Sequence, residues 1–155
     1  MHKQALERIA LCKKKRLKYL DLSGLGLTEI PLEIATLIWL ERLSLSCNNI
    51  SDITPLTSLT NIHKLSLSHN KISDLSPLTS NEKMKFIFLQ DNQISDISPL
   101  SHLTTLKKVV AHTNHIQEIG SLTSLPNLVY LDVKQNPIQD LNILDALDTL
   151  LVMKV

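Results

Sequence analysis

The sequence predicts an α/β solenoid, a parallel sheet built from one short strand per coil with a helix closing its first coil. Three observations carry that prediction. The chain has 31 Leu and 15 Ile among 155 residues. An apolar pattern recurs with a fixed period of 22 along most of its length. Only three glycines, 3% aromatic residues and no apolar run longer than four residues accompany it. That mix excludes disorder, collagen-like structure and a glycine-loop nucleotide enzyme. The short runs also exclude a membrane-spanning helix and a signal-peptide core. With 16 basic and 15 acidic residues, bulk charge points to neither nucleic acid nor membrane as a partner. Two cysteines, Cys12 and Cys47, form no disulfide framework, and the simplest expectation for location is a reducing cytoplasm.

The repeats set the boundaries. A unit of 23, Leu17 to Trp39, precedes five units of 22: Leu40 to Asn61, Ile62 to Lys83, Met84 to Thr105, Leu106 to Asn127 and Leu128 to Thr149. The five share the opening L-x-x-L-x-L-x-x-N-x-I, as in LERLSLSCNNI and IHKLSLSHNKI, which defines a leucine-rich-repeat solenoid. Within each opening, residues such as Leu43 and Leu45 alternate at period two, the mark of a strand with one face inward. Stacked coils then bury what no single coil can, and the chain is expected to curve with its sheet on the concave side. Where the strand ends, the chain turns inward and leaves backbone groups in need of partners. Asn48, Asn70, Asn92, Asn114 and Asn136 fall there, and their amides are expected to form a ladder. The first unit carries Leu25 in that place.

The second half of each unit carries the outer turns. Thr54, Ser76 and Ser98 precede Pro55, Pro77 and Pro99, which reads as an N-cap followed by proline at the first helical position. Each helix is limited to a 3₁₀ or α turn because an apolar residue returns a few positions later. Asp52, Asp74, Asp96, Glu118 and Asp140 form an acidic column whose expected role is hydrogen bonding to nearby backbone amides. At the N-terminus, residues 2–16 read as a cap helix with Leu6, Ile9, Ala10 and Leu17 on its inner stripe. The basic run Lys13 to Arg16 suits the negative end of that helix's dipole. Trp39 is expected to fill space between the first two coils. Residues 150–155 start a seventh repeat without a cap, which predicts a lost downstream part or a bare strand open to self-association.

The segment NNISDITPLTSLTN with IHKLSLSHNKISDLSPL resembles the 22-residue leucine-rich repeats of the bacterial internalins, a class shared with a regulatory subunit of protein phosphatase 1. The likeness covers residues 17–155, and Ile94 to Leu100 is its most specific piece. The opening ALERIALCKKKRLKYLDLSGLGLTEIP is similar to the start of leucine-rich regions in some bacterial multidomain proteins. The internalin resemblance implies a concave sheet that grips another protein. It does not extend to an export signal or a wall-anchoring segment, so surface display is not carried over.

Strand positions unused by the core must face outward. They give three rows: Tyr19, Arg42, Lys64, Phe86, Lys108 and Tyr130; then Asp21, Ser44, Ser66, Phe88, Val110 and Asp132; then Ser23, Ser46, Ser68, Gln90, His112 and Lys134. All four Phe and Tyr residues land there. Aromatic and arginine side chains are the usual anchors of interfaces, although cross-strand packing also favours aromatics at such positions. Basic residues outnumber acids on this face, which points to a locally acidic partner. The expected binding residues are Tyr19, Arg42, Lys64, Phe86, Phe88, Lys108, Val110, His112, Tyr130, Asp132 and Lys134. The expected function is non-catalytic binding of a protein or peptide, without cofactor or metal. The alternative is an assembly segment that self-associates through its last strand. Cys47, His69 and Asp91 line up at the eighth position of consecutive repeats and have the ingredients of a thiol nucleophile or partial metal site. An open sheet offers that row no pocket and no oxyanion donor, so the chain reads as a non-enzyme.

Overall fold

Among the described residues, seven three-residue strands form one parallel sheet in chain order: β1 Tyr19–Asp21, β2 Arg42–Ser44, β3 Lys64–Ser66, β4 Phe86–Phe88, β5 Lys108–Val110, β6 Tyr130–Asp132 and β7 Val152–Lys154. This is a computed structural model that describes residues 2–140 and 152–154. The register repeats without slippage, with Tyr19 beside Arg42, Arg42 beside Lys64, and so on to Tyr130 beside Val152. The sheet is curved and unclosed, and short 3₁₀ turns form its convex side. These run Leu32–Thr36, Thr54–Leu56, Ser76–Leu78, Ser98–His102 and Gly120–Ser124. Leu150 and Val155, two of the apolar positions assigned to a seventh repeat, lie outside the described residues.

Seven inward positions per coil build a continuous core. In the second coil they are Leu40, Leu43, Leu45, Ile50, Ile53, Leu56 and Leu59, all buried. The same columns recur one repeat later with a single exception, Asn81 in place of Leu59. Its Nδ2 donates to Leu59 O at 2.9 Å, so a polar group sits in the apolar column by bonding the coil beside it. Each buried Leu or Ile contributes roughly 1.5–3 kcal/mol. None of that area could be buried within one coil.

The inward turn after each strand is held by the expected asparagine ladder. Asn92 shows the pattern: its Oδ1 accepts from Ile72 N at 3.0 Å in the preceding coil, and its Nδ2 donates to Leu67 O at 3.0 Å and Leu89 O at 2.9 Å. Asn48, Asn70, Asn114 and Asn136 repeat these bonds. In the first coil Leu22 O, the carbonyl that an asparagine at position 25 would serve, accepts from Asn48 Nδ2 at 3.0 Å, and Leu25 N–H donates to Asn48 Oδ1 at 3.1 Å. The residue before each asparagine carries the backbone strain. Cys47, His69, Asp91, Thr113 and Gln135 all have φ between 54° and 57°, a left-handed conformation that in the first coil falls to Gly24 at 67°.

Helix α1 (His2–Lys15) closes the N-terminal end with Ile9 inward as expected, but with the rest of its buried stripe rotated from the expected one. Ala5, Ile9 and Cys12 are buried, while Leu6 and Leu17 are largely exposed and Ala10 is exposed. Small side chains at positions 5 and 12 let the helix approach the first coil closely, which turns Leu6 to its flank. Arg16 (φ 49°) ends the helix, with Arg16 N bonded to Lys13 O and Leu17 N to Cys12 O. Trp39 is half-buried rather than core: its Nε1 donates to Leu17 O at 3.1 Å and the Arg16 guanidinium lies 4.9 Å from its ring.

The outer turns also depart from the capping expectation. Thr54, Ser76 and Ser98 are the first 3₁₀ residues, and the caps are Ile53, Leu75 and Ile97 with no side-chain cap bond. Carboxylates just upstream satisfy the free amides instead. Asp52, Asp74 and Asp96 each accept from the N–H of Thr54, Ser76 or Ser98 at 2.8 Å, as their column predicts. Hydrogen bonds from the Thr54 hydroxyl and amide hold the Asp52 carboxyl below the usual carboxylate range.

Replacing one ladder residue strands three buried backbone groups. Asn92→Ala is expected to lower unfolding free energy by about 3–5 kcal/mol. The exposed neighbour change Gln93→Ala should cost less than about 0.5 kcal/mol. Chemical denaturation of the two variants beside wild type checks both values.

Candidate functional site

The sheet register brings the first outward row together as Tyr19, Arg42, Lys64, Phe86, Lys108 and Tyr130, one residue per strand from β1 to β6. Each cation of the row lies against an aromatic ring of this face. The Arg42 guanidinium lies 5.3 Å from the Tyr19 ring centre. Lys64 and Lys108 approach Phe88, one row over, from opposite sides at 5.4 and 5.7 Å. Lys108 also sits 4.0 Å from the Tyr130 ring. These contacts hold the cations in place while leaving their N–H groups open to an acceptor. Among the described residues, no carboxylate pairs with Arg42, Lys64 or Lys108.

Exposure divides the eleven expected binding residues. Tyr19, Arg42, Lys64, Phe86 and Lys134 are exposed, and Phe88, Lys108, His112 and Tyr130 are half-buried. Val110 and Asp132 face the same side but are buried, at 8% and 7% exposure. Val110 is short and its register neighbours are Phe88 and Asp132, so it lies at the floor of the face. Asp132 accepts from Lys134 N at 3.4 Å. His112 Nδ1 lies 3.0 Å from Thr113 Oγ1.

Serines line the inner surface along the first three strands and bond one another. Ser23 and Ser44 hydroxyls are 2.6 Å apart, Ser46 and Ser66 are 2.7 Å apart, and Ser68 donates to Ser46 at 2.9 Å. Tyr19, Arg42, Leu43, Ser44, Lys64 and Ser66 line a depression of about 370 Å³ between the first three strands. Acids stand at the margins. Glu41 accepts from Lys18 at 2.6 Å, a bond that lowers its pKa, and Asp21 and Asp132 belong to β1 and β6. Across β2 to β5 the three outward rows carry no acid.

The Cys47, His69 and Asp91 row occupies the strained left-handed turns rather than a pocket. His69 Nδ1 lies 3.3 Å from Asp91 Oδ2, and Cys47 is an exposed free thiol. Among the described residues, no group of three or more His, Cys, Asp and Glu side chains is arranged to hold a metal ion. The sharing of Phe88 by two lysines was not read from sequence. Its signal was present, because Lys64 and Lys108 each stand one repeat from Phe86.

The sequence model described as leucine-rich repeats, two copies, matches residues 15–58, 38–80 and 60–102. The chain belongs to the leucine-rich repeat family. Proteins of this family are generally protein-interaction modules and typically non-enzymatic. Among solved structures, the internalin InlF of Listeria monocytogenes is 28% identical with a TM-score of 0.88, covering 95% of this chain and 43% of that one. This chain therefore spans less than half the length of that protein. Internalin C2 of the same species is 26% identical with a TM-score of 0.73, covering 88% of this chain and 80% of that one. The ectodomain of the Arabidopsis thaliana receptor kinase GASSHO1/SCHENGEN3, in complex with CASPARIAN STRIP INTEGRITY FACTOR 2, is 26% identical with a TM-score of 0.72, over 87% of this chain and 18% of that one. No curated protein sequence matches the chain.

The two thiols should differ sharply in reactivity. Cys12 is buried, and burial pushes its thiol pKa up. A disulfide-exchange reagent is expected to label one thiol rapidly in the folded protein, Cys47, and a second only after denaturation. Mass mapping of the labelled peptide checks the assignment.

Proposed function

We propose that the chain is a non-catalytic binding module that grips a protein or peptide on its concave sheet. The observation that carries this reading is the row of three rings and three cations from Tyr19 to Tyr130. Its cations are held by cation–π contact, and its central ring, Phe86, is exposed. Large rings and unpaired cations on one rigid surface are the composition of interface anchors, not of a solvated face. The partner is locally acidic, since the window from β2 to β5 is basic. The receptor ectodomain solved with CASPARIAN STRIP INTEGRITY FACTOR 2 supports a protein or peptide as the partner. The free thiols Cys12 and Cys47 suit a reducing compartment such as the cytoplasm.

The test is retention of partners from source-cell lysate on wild type and on the Phe86→Ser, Phe88→Ser double variant. A protein held by wild type and lost at least tenfold by the variant is the expected result. Circular dichroism of the variant should show the fold unchanged. Equal retention on the two baits would remove the concave face as the site.

A further inference from the structure

Resting on the concave-face reading, the geometry points to the form of the ligand: an extended acidic segment with the pattern acid–x–apolar–x–acid, lying across the strands from β2 to β5. The charge pattern fixes the window. In the three outward rows of β2 to β5 the ionisable residues are Arg42, Lys64, Lys108 and His112, with Lys85 and Lys107 just before their strands. The acids nearest this window are engaged or outside it: Glu41 holds Lys18, Asp91 faces His69, and Asp21 and Asp132 belong to β1 and β6. A ligand extending past the window at either end meets a carboxylate.

The spacing sets the pattern. Neighbouring strands lie about 4.8 Å apart, so the row Arg42, Lys64, Phe86, Lys108 spans about 14 Å. Along an extended peptide, side chains on one face recur every ~6.7 Å. A carboxylate placed midway between Arg42 and Lys64 enters the depression that Ser44 and Ser66 help to line. The residue two positions on then reaches about 6.7 Å along the row, where Phe86 stands about 7 Å away and exposed. The residue four positions on reaches about 13 Å, beside Lys108 at about 12 Å. Lys64 and Lys108, both drawn toward Phe88, stand on opposite sides of that apolar slot. A cation row without the ring between would accept any acidic chain. Phe86 is what demands an apolar residue between the acids.

The experiment is fluorescence anisotropy with the full chain and two labelled nonapeptides of one composition. The first is Gly-Ser-Glu-Thr-Leu-Thr-Glu-Ser-Gly, and the second places the two glutamates side by side. The spaced peptide is expected to bind at least tenfold tighter, and to weaken as salt rises. Lys64→Glu with Lys108→Glu should abolish that binding, and a peptide with lysines in place of both glutamates should then bind the double variant. Equal affinity for the two peptides, or binding unmoved by the charge reversal, overturns the inference. An unbiased peptide-display selection on wild type separates this failure from the broader one. Binders that need Phe86 but lack the acid spacing overturn the ligand pattern and leave the concave-face reading standing. Binders indifferent to Phe86 and Lys64, or no binders at all, overturn both.

Discussion

An asparagine amide that ties the end of each strand to the coil before it is the interaction on which everything else rests. Each coil must reverse direction several times, and each reversal drags backbone N–H and C=O groups into an interior made of leucine and isoleucine. One amide answers three of those groups at once: Asn92 serves Ile72 N–H, Leu67 C=O and Leu89 C=O. Two of the three belong to the preceding coil, so the same bond that satisfies the turn also fixes the spacing and register of neighbours. Leucine packing supplies most of the stabilisation, but it is non-directional. The ladder supplies the direction.

Register is what turns a repeat into a surface. Because each strand is displaced by one whole unit, position three of every coil falls beside position three of the next, from Tyr19 to Tyr130. Residues far apart in sequence become neighbours by arithmetic alone. Lys64 and Lys108 are two whole repeats apart, yet they lie 5.4 and 5.7 Å from the same Phe88 ring centre. Such a face is rigid because its backbone is the sheet itself. Its cations are ordered by rings rather than by carboxylates.

Much of this was legible in the sequence, for a physical reason: a fixed period leaves no freedom in which residues share a row. The inward columns, the asparagine ladder, the outward aromatics and the Asp52, Asp74 and Asp96 turns all follow from counting. What was misread depended on distance or rotation rather than on period. The stripe of α1 came out on Ala5, Ile9 and Cys12 because close approach rewards small side chains, which a hydrophobic pattern undervalues. Thr54, Ser76 and Ser98 look like caps, yet the upstream aspartates reach the amides first. Val110 and Asp132 sit in outward columns and are nonetheless covered, because exposure depends on the size of the neighbours in each row. Trp39 carries a polar N–H that found Leu17 O, and that kept it at the rim of the core.

Amide hydrogen exchange on the native protein tests the ladder most directly. The N–H groups of Ile50, Ile72, Ile94 and Ile116 belong to no strand and no helix, and each is bonded by an asparagine side chain of the following coil. If the ladder holds the solenoid together, they exchange as slowly as Leu45, Leu67 and Leu89 N–H, which bond the sheet just past their strands. Exchange of these four amides at the rate of exposed turn residues such as Ser73 and Ser95 would contradict it, and would leave apolar packing alone to set the register.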